Sequence, residues 1–188
     1  MKNLLLKLLM SATFLLCMTD EELWAQEFAV STNFIDYAEF GTLNVEASYG
    51  VDRHWSLNAG AKYNPFTYSR GQEQVQRRQR SFSAGARYWP WHIYSGWWLS
   101  ASVRYQEYNS GGIVSPVTSE GDRFGGGFGG GYTYMIAPYL NLDFGLGLWS
   151  GYDSFTMCAC PTCGRKIDSG GKFFILPSDV LLALTFVF

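Results

Sequence analysis

The sequence predicts an all-β fold, an eight-stranded antiparallel up-and-down transmembrane β-barrel with a side-chain-filled interior. Three observations lead there. From residue 28 onward, apolar residues recur at every second position, the period of a strand with one apolar face. Eight segments carry that period, and most of the connections between them alternate short and long, as in a barrel whose two chain ends return to one side. Aromatics make up 18% of the chain beside 21 glycines, a mixture suited to a closed sheet with aromatic girdles rather than to a soluble helical domain.

A chain of 188 residues suffices for one domain. Its net charge of −2 supplies no pull toward nucleic acid. The start, "MKNLLLKLLMSATFLLCMTDEELWAQEF", reads as a cleavable export signal over 1–26. Lys2 gives the positive end, Leu4 to Met18 the apolar core, and Ala25 or Gln26 the exit, which leaves 27–188 as the barrel. Cys17 follows Leu15-Leu16 rather than the small residue a lipid-attachment site wants. No other run reaches the ~18 apolar residues of a membrane helix.

The segments lie near 28–37, 42–51, 55–64, 80–91, 97–108, 122–135, 139–152 and 179–188. In "TLNVEASYGV", Leu43, Val45, Ala47, Tyr49 and Val51 share a face opposite Asn44, Glu46, Ser48 and Gly50. "WSLNAGAKYN" and "YLNLDFGLGLW" repeat the scheme. Each approaches the ~10 residues of a tilted membrane strand. Segments 52–54, 92–95 and 136–138 are tight turns, whereas 65–79, 109–121 and 153–172 read as long polar loops, and 38–41 is a short outer one. With a periplasmic start, every tight turn falls inside and the long loops fall outside.

That threading sets Trp55, Tyr88, Trp91, Trp97, Tyr134, Tyr139 and Phe188 near the periplasmic rim. Tyr37, Tyr63, Phe66, Phe82, Tyr105, Tyr108 and Tyr152 gather at the outer rim, giving two girdles. The last strand ends in "LLALTFVF", and its terminal Phe188 is the kind of signal read by barrel-insertion machinery. A soluble sandwich also alternates, but here the faces opposite the apolar ones hold mostly Gly and Ser, a poor solvent surface. Location in the cell outer membrane follows as the expectation.

Four stretches invite a functional reading. Glu46, Lys62, Arg87, Arg104, Arg123 and Asp143 fall on the polar faces. An eight-stranded barrel has room for side chains only, and buried charges must pair, so an internal salt-bridge network is expected, with a narrow gated channel as the alternative. "GGGFGGG" at 125–131 precedes a strand rather than a helix, so it lets the wall curve and admits bulky interior groups such as Trp98 or Arg104 instead of cradling phosphate. Arg70, Arg77, Arg78 and Arg80 form a basic patch in the first long loop, able to grip lipopolysaccharide phosphates or an acidic partner.

"MCACPTCG" brings Cys158, Cys160 and Cys163 together. Zinc would want four ligands, and His54 and His92 sit at the opposite end of the barrel. A disulfide of Cys158 or Cys160 with Cys163, or free thiols, are the other states. With both histidines at the inner rim, no Ser/His pair can form on the outer half, so a lipid-modifying enzyme is the lesser reading and no catalytic residue is assigned.

"FAVSTNFIDYA", "VDRHWSLNAGAKYNPF", "AGARYW", "YNSGGI" and "CPTCG…LPSDVLLALTFVF" resemble, in that order, the domain-of-unknown-function family 3575 of Bacteroidota. These are small predicted outer-membrane barrels often encoded near fimbrial genes. Cys160, Cys163 and Gly164 match its Cys-x-x-Cys-Gly. Its Gly-Pro-Thr-Lys is here Leu176-Pro177-Ser178-Asp179, without the lysine. The resemblance implies envelope location and accessory work in surface-appendage biogenesis, with no activity to carry over. The expectation is a monomer that meets outer-membrane lipids, lipopolysaccharide, insertion machinery and a fimbrial or other envelope protein.

Overall fold

The computed structural model describes residues 27–188 except 71–72, 113–116 and 160–164, and omits the side chains of 69–70, 73–74 and 178–179. The expected signal segment 1–26 lies outside the described residues. The elements are β1 (Phe28–Asn33), α1 (Phe34–Ala38), β2 (Leu43–Asp52), β3 (Trp55–Asn64), β4 (Thr67–Arg70), β5 (Glu73–Tyr88), β6 (Gly96–Gly111), β7 (Thr118–Ala137), β8 (Leu140–Cys158) and β9 (Lys166–Val187). Every pairing is antiparallel. Pairing of β3 with β5 and of β1 with β9 closes eight staves into a barrel. β4 pairs with β5 alone, as a hairpin beyond the closed wall.

Closure requires the rows of paired residues to climb. One row runs from Ser31 through Glu46, Gly60, Ser83, Arg104, Gly125 and Gly151 to Phe174. Ser31 itself pairs with Thr185, so the row returns well above its start. The wall is therefore low along β1–β3, whose strands have 6–10 residues, and tall along β7–β9, whose strands have 19–22. We call the end holding Phe28 and Phe188 the lower end and the projecting end the upper.

Polarity follows the pleat. Val45, Leu57, Phe82, Leu99, Val103, Phe128, Leu146 and Leu148 face outward and are more than half exposed, while Ser56, Asp143, Thr133, Asn141 and Asp153 are buried within the lumen. Five aromatics from adjacent staves, Phe82, Tyr105, Phe124, Tyr152 and Phe173, form one register row on the outside. Glycines on the inward face of β7 and β8 allow the close approach of these strands: a Cβ at Gly131 would lie 2.0 Å from the Phe144 carbonyl oxygen and 2.5 Å from the Trp98 ring. Trp98 thus occupies the space that Gly131 and Gly145 leave open.

Four expectations need correction. The strand read at 28–37 ends at Asn33 because its side chain accepts a hydrogen bond from Ile35 N–H and caps α1. The loops read at 65–79, 109–121 and 153–172 are largely continuations of β4 to β9; their polar composition belongs to strands that project beyond the apolar band. Tyr108, assigned to the outer girdle, points into the lumen and is buried. The segment read as strand to residue 91, with a tight turn at 92–95, leaves the wall after Tyr88 and folds back into the lower mouth.

There Trp89, Ile93, Tyr94 and Trp98 pack with Ala29 and Val187 as a plug. Trp89 Nε1 donates to Ser56 Oγ (3.1 Å), Tyr94 OH to Glu27 O (3.2 Å), and Asn141 Nδ2 to Tyr94 O (2.8 Å). Ile93 N–H reaches Arg53 O at 2.9 Å. The tight return puts Tyr94 at φ 60° and Gly96 at φ 73°, a region that costs a tyrosine energy unless packing holds it.

Candidate functional site: lumen and upper wall

Above the plug the lumen is charged. Arg87 Nη2 lies 2.8 Å from Glu46 Oε1 and its Nη1 3.8 Å from Asp143 Oδ2, so one guanidinium links two carboxylates. Asp143 also accepts from Thr133 Oγ1 (2.6 Å) and Thr185 Oγ1 (2.7 Å), and Glu46 from Asn58 Nδ2 (3.0 Å). The Arg87 guanidinium stacks 4.3 Å from the Trp98 ring, which ties this group to the plug.

Lys62 and Arg123 find carboxylates that sequence reasoning did not enlist. Lys62 Nζ is 2.8 Å from Asp36 Oδ2 because α1 turns Asp36 inward. Arg123 Nε is 3.2 Å from Asp153 Oδ2, an ion pair without hydrogen-bond alignment, while Tyr108 OH donates to Asp153 Oδ1 at 2.9 Å. The alternating pattern places Asp36 within a strand, and the polar composition places Asp153 within a loop. Arg104 stacks 5.4 Å from the Trp149 ring. Burial raises the Tyr94 phenol above its ordinary range, opposed by its hydrogen bond to Ser48 and by Arg87.

Between these groups lies a chamber of about 110 Å³ bordered by Glu46, Lys62, Arg87, Trp98 and Arg104. Above it lies a layer of amide and hydroxyl groups: Gln106 donates to Gln79, Gln79 to Thr42 Oγ1 (3.2 Å), and Asn64 to the same hydroxyl (3.0 Å).

Where β1 ends, two asparagines take over the ladder. Asn44 Oδ1 accepts from Asn33 N–H (2.6 Å) and Asn44 Nδ2 donates to Asn33 O (2.9 Å). On the other side, Asn33 Nδ2 donates to Val180 O (3.2 Å) and its Oδ1 accepts from Leu182 N–H (3.0 Å). The plug and this clasp escaped sequence reasoning. An apolar Ile93-Tyr94 inside a supposed solvent turn was the available signal for the plug.

The basic patch divides. Arg77 pairs with Glu39. Arg78 and Arg80 lie in β5 on the outer wall, both exposed, and Arg70 ends β4 with its side chain outside the description. Arg78 and Arg80, with Glu107, Asn109, Glu120 and Asp122, border a groove of about 530 Å³. Cys158 ends β8 half-buried with a free thiol; Cys160 and Cys163 lie outside the described residues, and so do the zinc and disulfide readings that need them. Among the described residues no group of three His, Cys, Asp or Glu is arranged for a metal ion. His54 and His92 sit at the lower turns, their Nδ1 atoms 2.9 Å from Trp89 O and 3.1 Å from Ile93 O. Phe188 N–H donates to Phe28 O (2.8 Å), and its side chain is exposed at the lower rim.

No helix among the described residues is long and apolar enough to cross a membrane. No curated protein matches the chain. The family model described as "Protein of unknown function (DUF3575)" matches residues 9–188, nearly the full length of this small closed barrel, and the chain belongs to that family.

Proposed function

We propose that the protein is a non-enzymatic barrel of the cell outer membrane, a structural or interaction component of the envelope. Its lower end is periplasmic, and its projecting upper strands are the contact surface. The observation that carries this reading is the inverted polarity: large apolar side chains stand exposed on the outside, while ionic and hydroxyl groups are buried in the lumen. In water such a surface would far exceed the apolar patches that soluble monomers expose; in lipid it is the favoured arrangement. The non-enzymatic part is supported by the histidines, both held by backbone carbonyls at the lower turns, far from the upper wall. Phe188, on the exposed lower rim, suits a role as insertion signal. An accessory role in surface-appendage biogenesis rests on the family resemblance alone.

The test is behaviour in detergent. The mature protein is expected to need micelles to stay folded and to migrate faster on gels before boiling than after. A mature chain that stays folded and monomeric in plain buffer would overturn the reading. The chamber gives the channel alternative its one support, and the plug beneath opposes it; discrete conductance steps from reconstituted protein would reverse that ranking.

A further inference from the structure

We infer that the outward groove on the upper wall binds the headgroup of a phosphorylated glycolipid, phosphate toward Arg78 and Arg80 and sugar toward the carboxylates. The inference rests on the membrane reading and adds a ligand to it. Register builds the site. Tyr63, Arg80, Glu107, Asp122 and Ser154 are successive cross-strand partners, and Arg78, Asn109, Glu120 and Thr156 form the next row up. Both rows lie directly beyond Phe82, Tyr105, Phe124 and Tyr152, where aromatics mark the edge of an apolar band and polar headgroups begin.

The chemistry differs along the groove. Arg78 and Arg80 are two residues apart on one face of β5, about 6.7 Å along the strand, close enough for two guanidiniums to share one phosphate. Neither forms an ion pair among the described residues, unlike Arg77. The far side offers Glu107, Glu120 and Asp122, acceptors for hydroxyl donors. Tyr105 OH shares its hydrogen between Glu107 (3.3 Å) and Asp122 (3.2 Å), and Asn109 Nδ2 donates to Glu120 (3.0 Å), which holds these carboxylates on the wall. Three carboxylates beside two arginines disfavour a plain acidic ligand. A ligand anionic at one end and rich in hydroxyls at the other satisfies both sides. The site next to the apolar band favours one that also carries acyl chains.

The experiment is native mass spectrometry of the full mature protein in detergent with four probes: an acylated disaccharide phosphate, its dephosphorylated form, phosphatidylglycerol, and free glucosamine 1-phosphate. The first should bind at least roughly tenfold more tightly than each of the others. R78Q/R80Q should remove the preference for phosphate, and E107Q/E120Q/D122N the preference over phosphatidylglycerol. Equal binding of the phosphorylated and dephosphorylated lipids overturns the proposal without any variant, as does a folded R78Q/R80Q protein that keeps the preference. Equal binding of phosphatidylglycerol overturns the sugar assignment, and equal binding of glucosamine 1-phosphate overturns the lipid source. Failure of the membrane reading is seen separately, before a probe is added, as folding without detergent.

Discussion

The two ends of the lumen are built from opposite chemistry. At the lower end an apolar turn re-enters the lumen and packs Trp89 edge-on against Tyr94 and at a tilt against Trp98, with ring centroids 5.8 and 6.4 Å apart. At the upper end glutamine and asparagine side chains from the adjacent staves β3, β5 and β6 link into a chain through Thr42, just ahead of β2, and the wall continues beyond them on one side only. The lower closure gains from removing large apolar surfaces from water. The upper closure exchanges hydrogen bonds with water for hydrogen bonds within the protein, a smaller net gain. A barrel built this way is fixed at its base and adjustable at its mouth. The difference predicts a gradient of mutational cost from bottom to top.

The largest effect belongs to Trp89. It is 1% exposed and holds the plug to β3 through Ser56. Trp89→Ala should cost roughly 3–5 kcal/mol, the cavity penalty of a buried aromatic. Equilibrium unfolding in micelles measures it, and a cost below about 1 kcal/mol would mean the plug does not close the lower end.

The next effect tests the seam between the two ends. Asn33 supplies by side chain the bonds that β1 no longer makes by backbone, and it caps α1. Asn33→Ala should cost about 2 kcal/mol through the lost cap and the unpaired Val180 and Leu182 groups. Hydrogen exchange locates the damage: the Leu182 amide should exchange faster while amides of the β7–β8 ladder keep their protection. Uniform acceleration across the barrel would show that the seam is not a separate unit.

How much of this was legible depends on whether a feature is local. The alternation that assigns Val45 outward and Glu46 inward is local, and so the closed barrel could be read from it. Glycines at 131 and 145 likewise announce a crowded wall. The climb of the rows is not local: it arises only when β1 meets β9. Without it, nothing in "SFTMC" or "KIDSGGK" distinguishes a strand above the apolar band from a loop, and Asp153 was lost among loop residues. Asp36 was missed for a different reason, since one capping asparagine converts the end of an alternating run into a helical turn. In a loop Arg77, Arg78 and Arg80 would be equivalent; strand parity separates Arg77 from the other two.

The smallest effect comes from that separation. Arg77 and Glu39 pair at the upper end on the low side, yet their side chains remain 45% and 34% exposed. An ion pair so open to water is worth about 0–1 kcal/mol, and salt shortens the reach of its field to about 3 Å at 1 M. Arg77→Gln should therefore lower stability by no more than about 0.5 kcal/mol in dilute buffer, and the difference from wild type should vanish in 1 M salt. Unfolding curves of both proteins at the two salt concentrations measure this. A cost of about 2 kcal/mol that persists in salt would mean that Arg77 is shielded from solvent, and that the upper mouth is as firmly closed as the lower.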